Sequence, residues 1–368
     1  MNTLDLDALA GRLAVPDDEA RARARHRQRN LVSPPGALGR LDELAEWLAG
    51  VQGACPTRPL ERVTSVVFAG DHGVAAHGVS AYPPGTTAAM ARAVLAGATP
   101  GAVLADEAGI ALDLVDLSVD EDLDGLPAAV SRHKVRRATG SINTGPALSA
   151  AEHQAAFAAG MAVADEHADA GADLLVLSTL ATGSSTVAAV LLGALLGLDA
   201  ASVTGRGSGV DDAGWVRKCA AVRDALRLAR QHLVDPMALL ANSGGAEFSA
   251  LVGCCLQAAV RRTPVLLDGV SAAAGALAAQ RIAYQASEWW QVAQSSTEPG
   301  HDQALERLCL DPLLDYRVRA DQVGGVLGVG LLRAAAGLLA RAVTPEQARV
   351  PAGTPWPPRN TVGPEPLT

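Results

Sequence analysis

The stretch Val63-Thr64-Ser65-Val66-Val67-Phe68-Ala69-Gly70, followed directly by Asp71-His72-Gly73, decides the fold. An apolar, β-branched run without polar alternation reads as a strand buried on both faces, the pattern of a parallel sheet. The glycine and polar pair after it mark a turn at the strand's carboxyl end, and a helical segment follows over 87–96. The same unit recurs further on. IALDLVDL (110–117), DLLVLST (173–179) and TPVLLDG (263–269) read as buried strands, and SVTG (202–205) is strand-like. Helices are expected over 151–170, 212–232, from Gly244-Gly245-Ala246-Glu247 onward, and after Ser271. Repetition of strand, glycine turn and helix predicts an α/β protein with a mostly parallel sheet and helices on both faces. Ligands of such sheets bind beyond the carboxyl ends of the strands, where the glycine and polar clusters fall.

Composition narrows the function classes. Of 368 residues, 49% are hydrophobic and 19% charged, which excludes wholesale disorder. Aromatics are only 3%, so the core is expected to be Ala, Val and Leu. A net charge of −9 argues against a nucleic-acid surface. The only lysines are Lys134 and Lys218, an imbalance read as base composition rather than chemistry. Cys55, Cys219, Cys254, Cys255 and Cys309 contain no C-x-x-C pair, which fits a reducing compartment; Cys254 and Cys255, in LVGCCLQAAV, read as core residues. The acidic start MNTLDLDALAG does not read as a signal peptide, and the longest apolar stretch, Val187 to Gly197, is short for a membrane span. A cytoplasmic protein without membrane or nucleic-acid partners is expected.

At the amino end, EARARARHRQRN (19–30) precedes a break at Ser33-Pro34-Pro35. Leu38, Leu41, Leu44 and Leu48 then recur at helical spacing, with Gly50 closing the helix. The division read from the chain is an amino-terminal helical segment over 1–60, an α/β domain over 61–315, a carboxyl-terminal helical segment over 316–344, and a Pro-rich irregular tail over 345–368.

Several clusters have the residue types for chemistry. Gly183, Ser184, Ser185 and Thr186 lie between a strand and an apolar helix, where hydroxyls and free N–H groups suit a phosphate; an ordinary helix cap needs only one of them. Arg206, Gly207, Ser208 and Gly209 form a glycine turn with a guanidinium for the same anion. Neither G-x-G-x-x-G nor G-K-[ST] is present. Asp71 and His72 read as a catalytic dyad or a turn, and with no second histidine at ligand spacing no metal is expected. Glu298-Pro299-Gly300-His301 and Arg319-Ala320-Asp321-Gln322 are polar patches between helices, solvated or functional.

Taken in order, these blocks resemble one family, the nicotinate-nucleotide:dimethylbenzimidazole phosphoribosyltransferases of late cobalamin biosynthesis. The matching stretches are SPPGALGRLDELAEWLA (33–49), VVFAGDHGVAAHGVSAYPP (66–84), GADLLVLS (171–178), TGRGSGVDDAGWVRK (204–218), GGAEFSALVG (244–253), AAVRRTPVLLDGV (258–270), SSTEPGH (295–301) and LDPLLD (310–315). The resemblance implies a doubly wound parallel sheet with a smaller helical subdomain from both chain ends, and a homodimer; the apolar faces of 36–49 and 327–343 suit one, and a heterodimer with a paralogue is the alternative. It implies no cofactor. The implied substrates are nicotinate mononucleotide, or a similar donor, and an aromatic nitrogen base that receives the ribosyl 5-phosphate. The implied acceptor pocket includes Ser80, Tyr82, Ala89 and Met90, with Ala89 standing where the family has Gln. The motif R-L-G-E-G-[ST]-G, whose carboxylate takes the acceptor's proton, falls on 312–325, with Gln322 in the place of Glu and Asp321 as the neighbouring carboxylate. Ser178 and Thr179 stand where another family carboxylate is expected, Gln294 replaces a His, and Asp71, His72, Glu247 and Glu298 remain polar candidates. The alternative is a catalytically silent member acting as a binding or regulatory subunit.

Overall fold

The structure is a computed structural model that describes residues 5–320 and 322–351. Asp321 and most of the expected tail, 352–368, lie outside the described residues. Within 345–351 the irregular reading is corrected: Pro345–Ala348 is a helical turn, closed by a capping box between Thr344 and Gln347.

Six parallel strands form one sheet: β1 (Val63–Asp71), β2 (Ala111–Ser118), β3 (Leu174–Thr182), β4 (Val265–Leu267), β5 (Trp290–Gln294) and β6 (Pro312–Leu314), in the order β2-β1-β3-β4-β5-β6. All of β1 but Thr64 is buried, as its unbroken apolar run requires, whereas the edge strands β2 and β6 are partly exposed. β1 and β3 run in register from Val63↔Leu174 to Asp71↔Thr182, so their carboxyl ends are level. Chain direction across the sheet reverses between these two strands, which opens a crevice at that edge. β5 and β6 were not read from the sequence, and SVTG is no strand: Ala200–Val203 is a short helix capped by Asp199.

Helix Thr86–Leu95 packs on one face through Ala88, Ala91 and Val94, against Ala69 and Leu114. The amino half of helix Val323–Arg341 shares that face, with Gly325 over Val176 and Gly328 over Leu266 and Ala293. Helix Ala246–Val260 covers the opposite face and crosses helix Ala150–Asp169 closely; a Cβ at Gly160 would overlap the carbonyl oxygen of Ala250, and one at Gly253 that of Phe157. Small residues set this spacing, as the scarcity of aromatics predicts. All five cysteines are free, and burial raises the thiol pKa of both Cys254 and Cys255.

The chain separates into two compact units, one of Met1–Val15 with Glu61–Gly330, the other of Pro16–Leu60 with the chain from Leu331 on. Two expected boundaries are therefore corrected. The chain up to Val15 joins the sheet unit, where Trp289 Nε1 donates to the Ala14 carbonyl at 2.7 Å, and so does 316–330, because the amino half of its helix lies on the sheet. In the second unit, helices Asp18–Arg29 and Arg40–Gln52 pair, the latter closed by left-handed Gly53 rather than Gly50. Arg27 donates to the carbonyls of Leu339 (2.7 Å) and Ala342 (2.9 Å), capping the end of helix Val323–Arg341. That helix and the stretch 86–107 are long and apolar enough by composition to cross a membrane, which the reading of 187–197 as the longest apolar run missed. Half of the 323–341 window is buried within the protein, as in a core helix.

Candidate active site

At the carboxyl edge of the sheet lies a cleft of about 490 Å³, lined by the segments that follow β1, β3, β4, β5 and β6. One end gathers a helix start and a glycine turn. Gly183 (φ 96°) turns the chain from β3 into helix Ser184–Leu196, a left-handed conformation that glycine adopts without strain. The free N–H groups of that helix start, Ser184 and Ser185 border the cleft, as do Gly207 and Ser208 of the glycine turn. Lys218 from helix Asp212–Ala229 reaches in beneath them, fully buried, and its Nζ donates to Ser185 Oγ at 2.9 Å. Burial lowers its pKa, opposed by Glu298, whose Oε2 lies 3.9 Å away. Glu298 Oε1 accepts from Gly207 N–H (2.8 Å), and Arg319 donates to the Gly207 carbonyl (2.7 Å), so the turn is held from both sides. Ser208 Oγ accepts from Ala81 N–H (2.9 Å) and lies 3.1 Å from Ser80 Oγ, tying the turn to the loop after β1.

Three residues expected at the phosphate are not on the cleft. Thr186 is fully buried and off the cleft lining, its hydroxyl without a hydrogen-bond partner among the described residues. Arg206 donates to the Val210 carbonyl and to Asp212 and borders a separate surface cavity. Gly209 closes the turn away from the lining.

The other end is lined by Ser80, Tyr82, Thr86, Thr87, Met90 and Gln322. Thr86, Thr87 and Met90 share one side of their helix. Ala89 is exposed and off the cleft, because each helical residue turns about 100° from the last. Gln322 is 4% exposed and left-handed (φ 71°), and its Cβ stands 2.8 Å from where a Gly101 side chain would begin. Asp71, Ser178 and Thr179 are buried in the strands rather than at the surface of the cleft. Asp71 accepts from Thr87 Oγ1 (2.6 Å) and Asp120 N–H (3.0 Å), which makes it a brace between loops. His72 Nε2 lies against a Glu247 carboxylate oxygen in the buried interior, with His72 Nδ1 3.3 Å from Thr139 Oγ1. None of Asp71, His72 and Glu247 lines the cleft, and the His72 ring and Glu247 carboxylate lie against Gly245, which favours the turn reading of Asp71 and His72 over a catalytic dyad.

Sequence reading missed Lys218. The signal was present: one of only two lysines stands at the end of TGRGSGVDDAGWVRK. Its burial depends on how two helices pack, which no local pattern carries.

A parallel sheet that opens at its β1/β3 reversal onto a cleft lined by a helix start and a glycine turn, with a buried ammonium behind Ser185 rather than on the cleft wall, defines an α/β small-molecule-binding architecture. A family model described as phosphoribosyltransferase (DBI_PRT) matches residues 13–350. The nicotinate-nucleotide–dimethylbenzimidazole phosphoribosyltransferase of Streptomyces avermitilis is 50% identical over 342 residues, covering 92% of this chain and 91% of that protein. The protein of the same name from Mycobacterium tuberculosis is 49% identical over 339 residues, covering 92% and 93%. The crystal structure of CobT from Thermus thermophilus superposes with a TM-score of 0.86 at 39% identity, covering 91% of this chain and all of that one. The chain belongs to the nicotinate-nucleotide–dimethylbenzimidazole phosphoribosyltransferase family.

Proposed function

We propose that this protein transfers the ribosyl 5-phosphate of nicotinate mononucleotide, or a close analogue, to a ring nitrogen of an aromatic base, dimethylbenzimidazole or a different acceptor. The observation that carries this reading is the buried Lys218 at Ser185 and the glycine turn: an ammonium held out of water beside a helix start suits a phosphate. The donor's phosphate then sits at Gly183–Ser185, Gly207, Ser208 and Lys218, and the acceptor lies toward Ser80, Tyr82, Met90 and Gln322. In the transfer, the acceptor nitrogen's lone pair forms the new C–N bond as the bond to the nicotinate ring breaks. The leaving ring nitrogen becomes neutral with the returned electron pair and needs no acid. A benzimidazole must also lose its second ring proton, and the Gln322 amide is no base for it. That amide favours, as a second reading, a silent member that binds ligands and acts as a partner subunit. We further propose a cytoplasmic homodimer.

Calorimetric titration with nicotinate mononucleotide and dimethylbenzimidazole separately, followed by an assay of nicotinate release, separates the readings. Donor binding with base-dependent release supports transfer, and binding without release supports the silent subunit. Absence of donor binding overturns the phosphate assignment.

A further inference from the structure

Asp268 follows β4 directly, in the N-cap position of helix Gly269–Ile282, where an aspartate ordinarily accepts a hydrogen bond from its own helix. Its side chain makes no such bond. The carboxylate is 1% exposed, and neither oxygen has a well-formed hydrogen bond among the described residues. The element packed against it is the start of helix Val323–Arg341, where Gly325 makes the close approach and the backbone N–H groups of Gln322 and Gly325 draw its pKa down. Burial pushes its pKa up to about 6, and these two N–H groups work against that rise. Gly325 comes so close that a Cβ on it would lie 3.1 Å from the Asp268 Cβ and Oδ2. Gln322 needs an anchor here, because a side-chain-bearing residue in the left-handed region is disfavoured and this one is wedged against Gly101.

We propose that Asp268 is a positioning residue: its carboxylate gathers the N–H groups of Gln322 and Gly325, fixes the left-handed turn, and so sets the Gln322 side chain at the acceptor end of the cleft. Assigning that end of the cleft to the acceptor rests on the transferase reading. The clamp itself is independent of it.

The test is residue-resolved amide hydrogen exchange on the full chain, without ligand. Asp268→Ala is expected to speed exchange at Gln322 and Gly325 by about tenfold or more, with the central strands unchanged. Asp268→Asn keeps the volume and one acceptor oxygen, and is expected to restore much of the protection, leaving exchange about threefold faster than wild type. Where the alanine variant does not fold, the asparagine variant decides. Rates at both amides within about twofold of wild type in the folded variant overturn the proposal, as does uniform acceleration across the sheet, which marks general destabilisation. A second readout uses ligands. Asp268→Ala should weaken dimethylbenzimidazole about tenfold while leaving nicotinate mononucleotide unchanged, and should cost nothing further in a Gln322→Ala background. Equal loss in both backgrounds overturns the proposal. Localised exchange effects in a wild-type protein that binds no base leave the clamp standing and overturn the transfer reading alone.

Discussion

A lysine ammonium taken out of water is tolerated only where anions or acceptors compensate it, and Lys218 has one hydroxyl and a carboxylate that also serves Gly207. Lys218→Met is expected to weaken nicotinate mononucleotide binding by roughly 10–100-fold, the range of a charge-assisted contact, measured by calorimetry. The pH dependence has a definite sign. Burial holds the Lys218 pKa below its ordinary 10.5, and a phosphate is bound by the protonated form, so donor affinity is full below the lowered value and falls as pH rises through it. In the wild type that loss should begin below the ordinary lysine range. At the other end, Gln322→Glu should raise base-dependent nicotinate release with dimethylbenzimidazole by about 10²-fold or more, the contribution of a positioned general base. With 1-methylbenzimidazole, which has no ring proton to lose, the same change should give no gain; equal gains with both bases would remove the general-base argument. The resemblance put position 89, a Gln in the family, in the acceptor pocket, but Ala89 faces solvent, so adding Ala89→Gln to Gln322→Glu should give nothing further. Gly183, Ser184, Ser185 and Ser208 were legible because a turn into a helix is a local signal. Lys218 and Asp268 were not, since each acts on an element distant in sequence.

Among the elements, β1 and β3 follow from largely apolar runs closed by glycine or hydroxyl residues, which suffice because strands covered on both faces need no polar alternation, whereas β2, an edge strand, carries Asp113 and Asp116 within its apolar residues. β5 (WQVAQ) and β6 (PLL) escape because each is short and adopts its conformation only by pairing with a neighbour. SVTG fails as a strand because Asp199 caps a helical turn there and the sheet has no slot for it. The crossing of helices Ala150–Asp169 and Ala246–Val260 depends on two glycines. Gly160→Ala is expected to destabilise the protein by about 3 kcal/mol, at the upper end for overpacking, because the new methyl meets a backbone carbonyl that cannot rotate away. A urea titration with an unchanged midpoint would contradict that packing. β2 is tied to the Ala150–Asp169 helix through Asp113, which accepts from Arg132 (2.7 Å) and lies 2.9 Å from His167 Nε2. Burial pushes its carboxyl up, but the hydrogen bonds from His167 and Arg132 outweigh that and hold it at about 2, below the ordinary 3.8. A carboxyl depressed on folding stabilises above the unfolded value and loses that contribution as pH falls through about 2. The effect is at most about 2 kcal/mol, less for solvent screening, and urea midpoints of wild type and Asp113→Asn should converge under acid.

At the scale of the molecule, the apolar faces of 36–49 and 327–343 lead to a homodimer as the expected assembly, and light scattering should report about twice the 37.5 kDa chain. A single-chain mass at micromolar concentration would overturn this. The division of the chain illustrates how far the sequence reached. The charge run, the Ser33-Pro34-Pro35 break and the leucine spacing divide helical ends from an α/β middle on changes in composition and periodicity alone. They could not show that the chain up to Val15 and the first turns of helix Val323–Arg341 belong with the sheet, since that follows from which surfaces they bury. The sequence alone determined the fold class, the parallel sheet and the location of the glycine turns, all of which rest on backbone preference and side-chain period within a few residues. Only the tertiary structure decided which polar residues face the cleft: it set Ser184, Ser185 and Gln322 on its wall, turned Thr186, Arg206 and Ala89 away, and brought Lys218 beneath a turn and Asp268 under a distant helix. Direction of a side chain on a helix and burial of a charge are properties of packing between distant segments, and no local pattern encodes them.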